Sequence, residues 1–280
     1  MKRQFICLLH FGFQNGLACL FPALVFSLLA LSHLCAGWIP RYDFLLVACI
    51  AVQIVLYKTG IETKDEVAVI CIFHALGLAM EIFKVHIGSW SYPEFAYTKF
   101  FGVPLYSGFM YSSVSSYMCQ AWRRLNLKMT DWPAHSPVRI AGALIYINFF
   151  SNHFIYDVRY LIGLFVLILF WKSKVHFTVR KQEFKMPVSL SFALIGFFIW
   201  LAENMATFLG AWKYAYQHNQ WSMVNYQKIS SWAFLVIVSY IIVAELKMLK
   251  EKGIESINPD IKKPDDLLST PPASRQITHS

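Results

Sequence analysis

Two acids are each followed by Gly, Trp and Tyr at the same distances. Glu81-Ile-Phe-Lys-Val-His-Ile-Gly88-Ser-Trp90-Ser-Tyr92 returns as Glu203-Asn-Met-Ala-Thr-Phe-Leu-Gly210-Ala-Trp212-Lys-Tyr214. Each copy closes a long apolar segment, so the chain holds two equivalent places with one acid and two large aromatics. On a helix the step from Glu to Gly is a rise of about 10 Å, which puts each carboxyl inside the apolar layer. A carboxyl there is costly unless it faces the bundle interior, is paired or is protonated. Protonated, Glu81 and Glu203 suit proton donation or relay. Held by hydrogen bonds, they only tie helices together. Both readings stay open. Lys84 and Thr207 share the helix faces of Glu81 and Glu203.

Trp90, Tyr92, Trp212 and Tyr214 follow the helix ends. Rings at that depth form an interfacial belt or line a pocket for an apolar or cationic ligand. The densest polar group is Asn148, Asn152, His153, Asp157 and Arg159. His153 and Asp157 are spaced so that one orients the other if the helix persists. That group is either a catalytic or ligand site or a satisfied polar turn closing a hairpin. No third and fourth ligand accompanies the histidines, so neither a metal nor a cofactor is expected.

The elements that must position these groups are apolar. Of 280 residues 57% are hydrophobic and only 15% charged, where a soluble domain is nearer a quarter charged. The apolar blocks run to about twenty residues, the length of a membrane-crossing helix. The expected fold is all-α: a polytopic bundle of about eight transmembrane helices. They fall near 16–34, 42–57, 67–88, 105–122, 138–155, 160–171, 187–209 and 229–246, with a tight turn at 156–159 and with 5–15 at the interface. Met1-Lys-Arg before an apolar run imitates a signal peptide, but no small-x-small cleavage site follows, so the first segment is kept as a helix. Gly108, Ser112 and Ser116 put small residues on one helix face for close packing. The six cysteines, Cys7 to Cys119, lack Cys-x-x-Cys spacing and read as small buried hydrophobes.

The formal charge is +9. In a membrane protein this follows from cationic loops on the cytoplasmic side and gives no ground for nucleic-acid binding. With both termini inside, most Lys and Arg fall in cytoplasmic segments. The outside keeps Arg41, Lys84, Lys99, Arg159, Lys213 and Lys228. The basic loop 172–186 then meets anionic lipid heads.

This layout makes the two motif-bearing helices parallel and divides the chain into four-helix repeats, 1–125 and 126–250. The offset between copies drifts from 118 to 122: His33 matches His153, Arg41-Tyr42 matches Arg159-Tyr160, and Tyr106 matches Tyr226. Residues 251–280 are rich in Pro, Ser and charge and are expected as a disordered tail.

Glu81…Gly88-Ser-Trp-Ser-Tyr-Pro-Glu94, Val103-Pro-Leu-Tyr-Ser-Gly-Phe-Met-Tyr111 and Asn148-Phe-Phe…His153…Asp157-Val-Arg159 resemble the bacterial YoaT-like integral membrane family. The resemblance covers most of 16–250 and implies a bacterial inner-membrane location and no activity. More loosely, the acid-x6-Gly-x-Trp-x-aromatic spacing is similar to membrane-embedded carotenoid (lycopene) cyclases. Those enzymes protonate an apolar polyene. They carry Pro-x-Glu-Glu where this chain has Pro104-Leu105-Tyr106-Ser107, so only Glu81, Glu203, Trp90 and Trp212 carry over.

The leading expectation is a bilayer protein that binds a hydrophobic small molecule, an isoprenoid or other lipid, near the outer face. Glu81, Glu203, His153 and Asp157 are its candidate catalytic groups. Trp90, Tyr92, Trp212, Tyr214, Asn148 and Arg159 are its candidate binding groups. The alternatives are a small-solute or ion transporter using the same intramembrane acids, and a structural membrane subunit.

Overall fold

The computed structural model describes residues 2–35 and 37–257, with side chains described for 4–35 and 37–243. The helices are α1 (Lys2–Ala18), α2 (Leu20–Cys35), α3 (Arg41–Lys58), α4 (Lys64–His86), α5 (Gly108–Arg124), α6 (His135–Ser151), α7 (Arg159–Leu169), α8 (Val188–Phe208) and α9 (Lys228–Ile257). The expected tail begins at 251. α9 continues to Ile257, and the rest of the tail lies outside the described residues.

α1 and α2 are bent by 62° at Cys19. Pro22 supplies the cause. It has no N–H for the carbonyl of Ala18, and its ring crowds that carbonyl, so the first helix stops there. α3 opens after Pro40 and closes at Thr59. A full capping box starts α4, with the Thr63 hydroxyl on the Glu66 amide and the Glu66 carboxylate on the Thr63 amide.

α4 and α8 are long and apolar enough to cross a membrane, and α1 with α2 makes a third candidate if the bent pair is one span. The structure therefore supports a mainly helical chain with two or three such helices. α3 carries Arg41, Asp43 and Lys58 within its length. α7 has 11 residues, about 16 Å, roughly half the hydrocarbon thickness. The expected 138–155 helix ends early, at Ser151, because 152–158 leaves the helix to form a polar turn, and α7 opens at Arg159, at the end of the turn expected over 156–159.

The fold is not purely helical. β4 (Lys128–Thr130), β5 (Lys174–Val179) and β6 (Gln182–Pro187) form an antiparallel three-stranded sheet where basic loop was expected. Val175, Phe177 and Val179 alternate with His176 and Thr178, a period-two signal that the run of Lys and Arg obscured. Arg180 and Lys181 make the hairpin turn with φ of 48° and 63°, the double left-handed geometry of a two-residue turn. α1 packs Cys7 and Phe11 on this sheet, against Leu125, Phe177 and Val179.

The main core joins Phe21, Val25 and Leu29 of α2 to Tyr42, Leu45 and Cys49 of α3, with Phe109 of α5 and Trp212 beyond α8. The small-residue face of α5 lies on α4. Ser112 donates to the Ile70 carbonyl at 3.0 Å, and Ser116 to Glu62 at 2.6 Å. Gly77 of α4 has no Cβ for a reason. One there would meet Tyr111 Cγ at 2.5 Å.

Both motif helices end in the same cap. Gly88 and Gly210 have φ of +71° and +72°. The Gly88 amide bonds Val85 and the Ser89 amide bonds Lys84, while Gly210 bonds Thr207 and Ala211 bonds Ala206. These are paired Schellman bonds, in which a left-handed glycine reverses the chain. Gly88→Ala and Gly210→Ala are each expected to cost about 1 kcal/mol, read as a lower thermal unfolding midpoint in detergent. Gly12→Ala, where a Cβ meets nothing within 4 Å, is the control and should be neutral or slightly stabilising.

Candidate functional site

The glycine turns send each chain back over its own helix. Trp90–Ser91 (β1) and Lys213–Tyr214 (β7) then pair antiparallel, Trp90 opposite Tyr214 and Ser91 opposite Lys213. The two motif copies thus meet in one two-stranded ribbon. The remaining strands, β2 (Lys99–Phe100) and β3 (Val103–Pro104), form a hairpin beside it.

Each acid is held by the tyrosine that follows it on the returning chain. Glu81 is 4% exposed and accepts from Trp90 Nε1 at 2.7 Å, Tyr92 Oη at 2.7 Å and Tyr111 Oη at 2.9 Å. Glu203 is 3% exposed and accepts from Tyr214 Oη and from Trp232 Nε1, the latter at 2.6 Å. Trp212, the sequence counterpart of Trp90, is buried in the main core and is not a donor to Glu203. Tyr111 and Trp232 were not among the sequence candidates. Their separation falls within the drift of the motif match, and that was the available signal.

The two acids differ in what they face. Glu81 is enclosed by its three donors. Glu203 lines a cavity of about 180 Å³ between α4, α6 and α9, with Trp90 and Tyr214 in its lining. Lys84, Arg159 and Lys228 also line it, and Ile145, Phe234, Leu235 and Val238 form an apolar wall. Lys228 Nζ lies 5.0 Å from the Tyr214 ring centroid and 5.5 Å from that of Trp90, so the rings' negative faces meet the ammonium. It is close enough to Glu203 and Glu81 to feel both charges.

The polar group after α6 divides in two. Asp157 accepts from Asn148 Nδ2 at 3.1 Å, the Arg159 amide at 3.0 Å and Arg159 Nε at 2.5 Å. Asn148 Oδ1 in turn accepts the Val158 amide. Partial burial raises the Asp157 carboxyl, but these donors outweigh it and hold the group below the usual carboxylate range. Asp157 therefore closes the α6–α7 turn and starts α7. His153 does not pair with it, because α6 ends at Ser151. Instead His153 Nε2 lies 2.6 Å from Lys84 Nζ. Partial burial and the Lys84 charge lower the imidazole's proton affinity, which leaves that nitrogen free to accept from the ammonium. Lys84 also donates to the Phe149 carbonyl at 3.1 Å.

Thus Glu203, Trp90, Tyr214, Asn148, His153 and Arg159 share the cavity, whereas Glu81, Tyr92, Trp212 and Asp157 stand behind or beside it. Among the described residues no cluster of His, Cys, Asp and Glu has the makings of a metal site.

A family model described as a protein of unknown function (DUF817) matches residues 7–240. The chain is 53% identical over 247 residues to the uncharacterized protein YoaT of Bacillus subtilis (strain 168), covering 88% of this chain and 94% of that one. No solved structure matches it.

Proposed function

The chain belongs to the DUF817 family, whose name carries no activity, and from that premise we propose a function built on the cavity. The protein is a multi-pass membrane protein of the bacterial cytoplasmic membrane. It binds an amphiphilic, lipid-like molecule between α4, α6 and α9 and acts on it by acid–base chemistry through Glu203. One observation carries the reading: of two similarly built acids, Glu203 borders a cavity lined by both apolar and cationic side chains, and Glu81 does not. Broad apolar exposure supports the membrane setting, with Leu161, Leu164, Leu167 and Ile168 of α7 and Phe198 of α8 all open. The pairing of β1 with β7 supports two motif-bearing helices that emerge on the same side, within an eight-crossing, N-in/C-in layout.

In this reading Glu203 gives or takes a proton at a ligand atom beside it, and Tyr214 and Trp232 hold the carboxyl in place. Glu81 is the matching strut that fixes Trp90 and Tyr92. The test is mass spectrometry of lipid extracts from membranes carrying wild type, Glu203→Gln or Glu81→Gln. A species made with wild type is expected to fall by about a hundredfold or more with Glu203→Gln, and much less with Glu81→Gln. Indistinguishable profiles in a host supplying candidate lipids would remove the acid–base role.

A second reading rests on a separate observation. Polar groups run along the α4–α5 seam: buried Glu62 bonded to Gln53 and Ser116, then Ser112, then His74 with an unpartnered Nδ1, and then Tyr111 on Glu81. Burial raises the Glu62 carboxyl above its usual range, ahead of the lowering by Ser116 and Gln53. Such a line suits proton-coupled transport. Proton uptake into proteoliposomes that is lost in Glu62→Gln would favour it, and uptake unchanged by that substitution would discard it.

A further inference from the structure

Lys228 sits in this cavity with no hydrogen-bond acceptor among the described residues. Its ammonium lies against two ring faces, at 5.0 and 5.5 Å, and Glu203 and Glu81 act on it at longer range without a hydrogen bond. Lys84 faces the same space and donates to one carbonyl and one imidazole. Arg159 lines it too, with Asp157 on Nε and Ser231 Oγ 3.5 Å from Nη1. Of the charged residues lining the cavity, three are cations, Lys84, Arg159 and Lys228, and one is an acid, Glu203. A partly buried ammonium with unused donors is a costly group to leave in apolar surroundings.

The first motif copy shows what such a place accepts. Arg41 starts α3 as Arg159 starts α7. Arg41 is satisfied from within the chain, by the Glu94 carboxylate, Ser32 Oγ and the Leu209 carbonyl. Glu94 comes two residues after Tyr92. The residue two after Tyr214 is Tyr216, whose ring stacks on Tyr214. In the second copy the arginine's carboxylate comes from Asp157, two residues before it, and the open cavity holds two lysines with no carboxylate among the described residues bonded to either.

We propose that the cavity takes the oxyanion head, a carboxylate or phosphate, of its amphiphile, with Lys228 and Lys84 donating to the head and Arg159 at the rim. The hydrocarbon part lies along Ile145, Phe234, Leu235 and Val238. This rests on the reading of the cavity as an amphiphile site and adds the charge of the head.

The test uses the full chain in lipid nanodiscs and measures binding of tritiated oleate, oleyl phosphate and the neutral oleyl alcohol. Oleate and oleyl phosphate are expected to bind at least about tenfold more tightly than the alcohol, the worth of a charge-assisted contact in a partly dry site. Lys228→Gln should remove that preference, bringing oleate and alcohol binding to within about twofold of each other, and Lys228→Arg should keep it. Should Lys228→Gln fail to give a folded species, Lys84→Gln reads the same ratio. Equal binding of oleate and the alcohol by wild type would overturn the anionic head but leave the amphiphile reading standing. Binding of none of the three would overturn both. Saturation by inorganic phosphate alone, with no benefit from the chain, would overturn the lipid source and assign the cations to a free anion.

Discussion

Glu81→Leu is expected to lose about 3–5 kcal/mol of stability, the largest effect of any single substitution in the motif. The acid is the common acceptor for Trp90, Tyr92 and Tyr111, which reach it from two different segments. Leucine fits the volume but accepts nothing. Three buried donors are then orphaned, at about 1–3 kcal/mol each, offset in part because a desolvated carboxyl is no longer buried. Glu81→Gln keeps a carbonyl oxygen and should cost about 1–2 kcal/mol, since the Tyr111 hydroxyl can turn to accept from the amide. At Glu203 only Tyr214 and Trp232 are orphaned, so Glu203→Leu should cost less than Glu81→Leu. Thermal unfolding of the purified variants in one detergent checks the order. Equal midpoints for Glu81→Leu and Glu81→Gln would show that the three donors do not depend on this acceptor.

Much of that arrangement was legible before any coordinates. The acid and the glycine turn are set by distances along one chain, but the returning tyrosines, read as an interfacial belt or pocket wall, are instead donors to the acids. The limits of α3, α4 and α8 follow from Pro40, Thr63 with Glu66, and Pro187, each a local signal at a helix end. What could not be read lies between elements. Tyr111 and Trp232 reach their acids from neighbouring helices. Lys228 reads in sequence only as one external charge, and its place above Trp90 and Tyr214 depends on the β1–β7 pairing. His153 and Asp157 have helical spacing but lose it because Asn148 and Asp157 bond the turn and leave α6 to end at Ser151. The β5–β6 hairpin had a local signal, alternation in 174–179, but it sits in a stretch where charge dominated the reading.

Glu94→Leu is expected to cost about 3 kcal/mol, although Glu94 itself is 36% exposed. The cost falls on its partner. Arg41 is only 5% exposed, packed beside the Gly210 turn, where a Cβ on the glycine would come within 3.3 Å of Nη1. Without the carboxylate, the guanidinium keeps two neutral acceptors, Ser32 Oγ and the Leu209 carbonyl, and no counter-charge. Removing one member of a buried pair typically costs about 3–5 kcal/mol, and the exposure of Glu94 places this case at the low end. Arg41→Met should cost less, about 1–2 kcal/mol, because Glu94 can turn to water while the two neutral acceptors lose a donor. The double variant should then be more stable than Glu94→Leu alone, since it removes the stranded cation. Unfolding midpoints of the four proteins close the cycle, and a double variant no better than Glu94→Leu would mean that Arg41 carries no stranded charge there. The same electrostatics applies to Lys228 in the other motif copy, where Asp157 is taken by Arg159 and a bound oxyanion would supply the ammonium's hydrogen-bonded counter-charge.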